Sequence, residues 1–74
     1  MSSRSLRVAS EYLEKVKSAV KNNKFPSQKA LALELGIARS TVSNFLNGKP
    51  VDFLNFTEIC KQLGLDWQGI TQIP

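Results

Sequence analysis

The chain has 74 residues, 42% of them hydrophobic, and a formal net charge of +4, which fits one small domain over residues 1–74. It contains no histidine, and its six acidic residues are scattered, so the sequence argues against an enzyme and offers no catalytic or metal-binding residues. No stretch approaches the roughly 18 apolar residues of a membrane span, and the first residues lack an apolar signal region. A lone cysteine, Cys60, fits a reducing compartment, so we expect a cytoplasmic protein with no membrane partner, no cofactor and no evident small-molecule ligand.

The first predicted helix runs from about residue 5 to residue 22, with Ser3 or Ser5 as its cap. Its apolar residues recur at intervals of three and four, which places on one face Leu6, Ala9, Leu13, Val16 and Val20. The opposite face is basic, and we interpret it as a solvated surface that includes Lys15, Lys17 and Lys21.

The second predicted helix runs from about Gln28 to Leu35, with Ser27 as its cap and Phe25 filling the gap to the first helix. Leu33 lies off its apolar face and should be partly exposed, whereas the buried residues should be Leu31, Ala32 and Leu35. Gly36 is expected to end this helix with a positive φ, a conformation that suits glycine.

The third predicted helix, residues 39–47, has two chemically distinct sides. An apolar side suited to anchoring the helix contains Ala38, Val42, Phe45 and Leu46. The outward side offers hydroxyl and amide groups from Ser40, Ser43, Asn44 and Asn47, with Arg39 and Thr41 at its borders. Because such groups form directional hydrogen bonds with base edges, we interpret residues 39–47 as a recognition helix. The basic balance of the whole chain also favours a polyanionic partner.

Two further helices complete the prediction. Asp52 caps a fourth helix that reaches about Gln62, with a core stripe of Phe56, Ile59, Cys60 and Leu63. Phe53 and Leu54 are adjacent in its first turn, so at least one should be exposed, as at a partner interface. Asp66 caps a short fifth helix over residues 67–72. Trp67 should be largely buried and should link this helix to the first, and Ile70 should also face inward.

The stretch Gln28–Gly48, QKALALELGIARSTVSNFLNG, resembles the helix-turn-helix domains of the phage-repressor-like, or xenobiotic-response-element, family. The matching positions are Gln28, Leu31-Ala32, Leu35-Gly36-Ile37, Val42 and Asn47-Gly48, and their spacing agrees without a gap. The resemblance implies an all-α, compact bundle of about five short helices, lambda-repressor-like, with helices 2 and 3 as the helix-turn-helix. It also implies sequence-specific binding of double-stranded DNA by a bacterial transcriptional regulator that reads the major groove.

The resemblance extends to individual residues. The positions that match base-reading residues of the family are Arg39, Ser40, Ser43 and Asn44. Gln28 and Asn47 match positions that contact phosphate, and we add Thr41 and Lys49 as further candidate phosphate contacts. Because family members usually bind DNA as dimers, Phe53 and Leu54 are candidate residues of a homodimer interface.

A second interpretation stays open beside DNA binding. Domains of this kind also form the N-terminal part of larger signalling proteins, so the chain could be a protein-interaction module with little DNA binding. The near absence of acidic residues from the outward side of residues 39–47 favours DNA, whereas the Phe53–Leu54 pair favours a protein partner.

Overall fold

Residues 4–71, which a computed structural model describes, fold into five α-helices and one short pair of strands. The helices are α1 (Leu13–Asn22), α2 (Gln28–Leu35), α3 (Arg39–Leu46), α4 (Phe53–Leu63) and α5 (Trp67–Ile70). A 3-10 turn, Ser10–Tyr12, precedes α1, and the antiparallel strands are β1 (Ser5–Leu6) and β2 (Val51–Asp52). The predicted helical bundle, with α2 and α3 as a helix-turn-helix, is confirmed.

The core is built from apolar side chains of the five helices and of both strands. Among the described residues, it contains no buried polar or charged side chain. The rings of Phe45 in α3 and Phe56 in α4 are fully buried, with centroids 5.0 Å apart and planes tilted by 59°. This pair attaches the apolar side of α3 to α4, so the other side of α3 is free to face a partner.

The N-terminal segment differs from the prediction, because α1 begins only at Leu13. Leu6 and Val8 are buried and Arg7 is exposed, which is the alternation of an extended strand. Leu6 pairs with Val51 of β2. Ser5 is therefore a strand residue and not a helix cap, and Ser3 lies outside the described residues. The helical spacing of the apolar residues gave a wrong prediction for residues 5–12, because the strand partner of β1 is β2, which lies far along the chain.

Helix ends follow the predicted chemistry. Ser27 Oγ accepts a hydrogen bond from the amide of Ala30 at 3.1 Å. A carboxylate oxygen of Asp52 accepts from the amide of Asn55 at 3.3 Å. A carboxylate oxygen of Asp66 likewise accepts from the amide of Gln68 at 3.1 Å. Such bonds satisfy amides that lack a partner within the helix. The fifth helix is shorter than predicted, since it ends at Ile70 and Thr71 forms an antiparallel bridge with Val8; Gln72 lies outside the described residues.

Trp67 is partly buried, and its neighbours differ from those predicted. Its ring meets the ring of Phe53 edge-on, with centroids 5.2 Å apart, so it packs on the first turn of α4. Ile70 is buried as expected, and its carbonyl accepts a hydrogen bond from the amide of Ala9 at 2.9 Å. The end of α5 is thus attached to the extended N-terminal segment. Within residues 4–71, none of the helices combines the length and apolarity needed to cross a membrane.

Lys24 lies just after the C-cap of α1, Asn23, and has a left-handed conformation, with φ of 64°. Its amide donates to the carbonyl of Lys21 at 2.9 Å, which closes the last turn. Because a β-carbon in this region costs roughly 1–2 kcal/mol, Lys24→Gly should stabilise the domain by about 0.5–1 kcal/mol after the loss of chain entropy. That corresponds to a Tm higher by a few degrees, about 2–8 °C, in thermal unfolding followed by circular dichroism.

Lys17→Gly is the matched control for this prediction, because Lys17 lies inside α1. Glycine there should lower stability by about 1 kcal/mol. A Tm that falls in both variants would show that the left-handed conformation of Lys24 carries no strain.

Candidate nucleic-acid interface

The turn between α2 and α3 sets the relative position of the two helices. Gly36 ends α2 with φ of 68°, a left-handed conformation that glycine adopts at no steric cost. The amide of Ile37 donates to the carbonyl of Ala32 at 3.0 Å, which turns the chain back toward the core. Ala38 precedes α3 with an extended backbone and offers no side-chain cap. The chain therefore enters α3 with no side chain capping the first amides of the helix.

The two sides of α3 largely match the prediction. Val42, Phe45 and Leu46 are buried, so the helix is anchored by its apolar side. Arg39 and Ser40, at the start of the helix, are exposed. The partly buried residues on the outward side and its borders are Thr41, Ser43 and Asn44. One residue differs, since Ala38 is exposed: it lies before the helix, where the helical wheel does not apply.

The end of α3 is held together by hydrogen bonds between candidate contact residues. The side-chain amide of Asn47 donates to the carbonyl of Ser43 at 2.8 Å and to its hydroxyl oxygen at 3.3 Å. The Ser43 hydroxyl accepts in this pair, so its own proton is available to an acceptor on a ligand. The amide of Lys49 donates to the carbonyl of Asn44 at 2.8 Å. The backbone around Lys49 is thus connected directly to α3.

A groove of about 360 Å³ lies beside the start of α2. Gln28 and Ser27 line it from α2 and its cap, and Lys17 and Lys21 line it from α1. Leu46, at the end of α3, also lines it. Gln28, a predicted phosphate contact, therefore lies beside two basic residues that were interpreted as part of a solvated face. Their spacing of one helical turn was the available signal in the sequence, but only the tertiary structure brings both lysines to the same groove as Gln28.

Two lysines, Lys17 and Lys21, and one carboxylate, that of Glu14, line the groove, so its net charge is positive. The ammonium of Lys17 lies 3.6 Å from a carboxylate oxygen of Glu14, an exposed pair that contributes little to stability. α3 itself carries no acidic residue. Across residues 4–71, no three side chains of the types that bind metals are grouped closely enough to hold an ion.

Cys60 lies in α4, away from this surface, and is 1% exposed. Burial, with a smaller effect from the negative charge of Asp66, raises the pKa of its thiol to about 12. The thiol is therefore protonated at neutral pH, and Cys60 acts as the small buried residue that the sequence predicts.

Phe53 and Leu54 have different environments. The Phe53 ring is partly buried, with the guanidinium of Arg4 5.3 Å from its centroid on one side and Trp67 on another. Leu54 is 71% exposed. One of the two is therefore exposed, as expected, and the candidate homodimer interface is reduced to Leu54. Leu33, on α2, is 72% exposed, which exceeds the partial exposure expected for it.

Comparison with known families identifies this architecture. The helix-turn-helix family of the Cro/C1 type, also called the xenobiotic-response-element family, matches residues 27–70. This match covers more than half of the chain, and the chain belongs to that family. The family is a DNA-binding one and is not enzymatic. No curated protein and no solved structure gives a significant match to the chain.

Proposed function

We propose that this chain binds double-stranded DNA in a sequence-specific manner and regulates transcription in a bacterial cytoplasm. The observation that carries the proposal is the exposed start of α3, Arg39 and Ser40, on a helix whose other side is anchored by buried Val42 and Phe45. A helix held in this way can enter the major groove with its first turn leading, without rearrangement of the core. The family assignment supports DNA binding, and the hydrogen-bonding groups on α3 support the reading of sequence.

The side chains divide into two sets by their chemistry. Bases would be read by Arg39, Ser40, Ser43 and Asn44, whose forked, hydroxyl and amide groups match donors and acceptors on base edges. Phosphates would be contacted by Gln28, Thr41, Asn47 and Lys49, together with Lys17 and Lys21 of the groove. Contacts of the second kind fix the register of the protein on the duplex and carry no sequence information.

The direct test is a titration of the labelled chain with duplex DNA, followed by backbone amide NMR shifts at two salt concentrations. We expect shifts concentrated in α2, α3 and the residues after α3, with an affinity that falls steeply as salt rises. Amides in the second half of α4, around Lys61, serve as the internal control and should not move. Selection from random duplexes then tests specificity. If nothing is enriched and no fragment binds at low salt, the proposal fails and a protein-interaction module takes its place.

Leu54 supports a second proposal, that two copies of the chain associate. An exposed leucine at the start of α4 would gain roughly 1.5–3 kcal/mol on full burial against a partner. Leu54→Glu should therefore abolish association in sedimentation experiments while leaving the circular dichroism spectrum unchanged.

The matched control is Leu33→Glu, which places the same charge on an equally exposed leucine of α2. It should leave self-association intact. Wild-type chain that sediments as a monomer at high concentration would refute association through Leu54.

A further inference from the structure

The connection after α3 packs tightly against residues that precede the matched family region. Gly48 has φ of 72°. A β-carbon placed on it would lie 3.3 Å from Cδ2 of Leu13 and 3.4 Å from the carbonyl oxygen of Val8. We call Val8 and Leu13 the brace. Both distances lie at the tight end of van der Waals contact, so a side chain at this position would require the brace or the connection to move by a few tenths of an ångström.

Other left-handed glycines of the chain lack this feature. Gly36 and Gly64 have φ of 68° and 71°, and a β-carbon on either would meet no atom within 4 Å. Their backbone conformation explains the glycine at those two positions. At Gly48 the close approach of the brace adds a steric restriction to that of the backbone conformation.

The brace is itself held in place by the rest of the fold. Val8 is 2% exposed and forms an antiparallel bridge with Thr71. Two residues before Val8, Leu6 pairs with Val51 of β2. The N-terminal segment therefore contacts the chain on both sides of Lys49: at Gly48 through the brace, and at Val51 through the strand pair. Pro50, with its fixed φ, further stiffens the short span between them.

This span carries the groups that are proposed to contact phosphate. Asn47 precedes Gly48, and Lys49 follows it. The amide of Lys49 donates to the carbonyl of Asn44, so a shift at Gly48 would change both the direction of the lysine and its link to α3. The backbone direction at a lysine sets which phosphates its flexible side chain can reach.

We propose that Gly48 is a positioning residue for DNA binding: the brace, through Gly48, holds Lys49 in the orientation that contacts the phosphate backbone. This inference rests on the proposed DNA-binding function. It assigns a role in recognition to Val8 and Leu13, which lie outside the helix-turn-helix and touch no DNA themselves.

The test is a double-mutant cycle between Gly48→Ala and Lys49→Ala, measured as DNA affinity against salt concentration. Each single variant should lower the slope of log affinity against log salt by about one unit, because each removes the same phosphate contact. The double variant should show no further loss, since coupled residues are not additive. Gly64→Ala is the control: it carries the same left-handed strain at a site without close neighbours, so it should lower stability and leave the salt slope unchanged.

Affinities are measured at a temperature where circular dichroism shows every variant to be folded. If Gly48→Ala does not fold, Leu13→Ala replaces it in the cycle, because it weakens the brace and leaves Gly48 in its native conformation. Leu65→Ala, which also shortens a partly buried leucine against the core, is then the control.

The outcomes separate the two proposals. A wild-type chain that binds no duplex at low salt overturns the proposed function and this inference with it. A wild-type chain that binds DNA, combined with additive effects of the two substitutions or with an equal loss in the control variant, overturns the inference alone.

Discussion

Arg39→Ala is expected to weaken binding to the selected DNA site by about 1–3 kcal/mol, roughly 5- to 150-fold, and to weaken binding to scrambled DNA far less. Arg39 is the first residue of α3 and is exposed, so its guanidinium can reach the O6 and N7 acceptors of a guanine as a fork. Without these two hydrogen bonds to guanine, the protein should lose its preference for one base at one position of the site. The measurement is a comparison of Kd values on selected and scrambled duplexes, with a repeated site selection on the variant.

Two further variants separate base reading from charge. Arg39→Lys keeps the positive charge but removes the forked donors, so it should lose the base preference while keeping the salt slope of the wild type. Lys61→Ala removes one exposed charge from α4 and should change neither property. If Arg39→Lys retained full discrimination, the forked donors of the guanidinium would not be what reads the base.

Phe45→Ala is expected to destabilise the domain by about 3–5 kcal/mol, the usual cost of removing a fully buried phenyl ring. The loss combines apolar burial, the cavity left behind and the contact with Phe56 at 5.0 Å. A domain of this size has a total stability of roughly 4–11 kcal/mol, so the variant should be marginal. Since each kcal/mol shifts Tm by roughly 4–8 °C, Tm should fall by about 12 °C or more.

Urea unfolding of the wild-type chain and of Phe45→Ala, followed by circular dichroism, measures the free energy of unfolding of each protein. Leu33→Ala is the control, because this leucine is 72% exposed and its truncation should change stability by less than about 0.5 kcal/mol. A Phe45→Ala variant that unfolds at nearly the wild-type urea concentration would contradict the packing of α3 on α4.

The candidate site was predictable wherever the information is local. Ser27, Gly36 and Asp52 mark helix ends through hydrogen bonds or backbone angles that span only a few residues, and the structure places those ends where the sequence predicts. The sides of α3 follow from its period alone, because a helix of known register has only one apolar side to bury. The base-reading and phosphate-contacting roles of its side chains remain predictions.

The neighbours of that helix were less predictable. Lys17 and Lys21 look like part of a solvated face until α1 is seen to share a groove with Gln28. Trp67 looks like a link to the first helix, yet its ring packs on Phe53. In both cases the periodicity shows that a residue points inward or outward, but it does not show which element lies opposite.

The helix-turn-helix, the caps and most of the core are encoded locally, in short-range periodicity and in cap chemistry. In contrast, the conformation of residues 5–12 and their packing on the connection after α3 depend on contacts between distant parts of the chain. Leu6 fits both a helical interval and the alternation of a strand, and the choice between them depends on β2. A strand needs a partner, and this partner is brought near only when the helices have packed, so no local pattern could specify it.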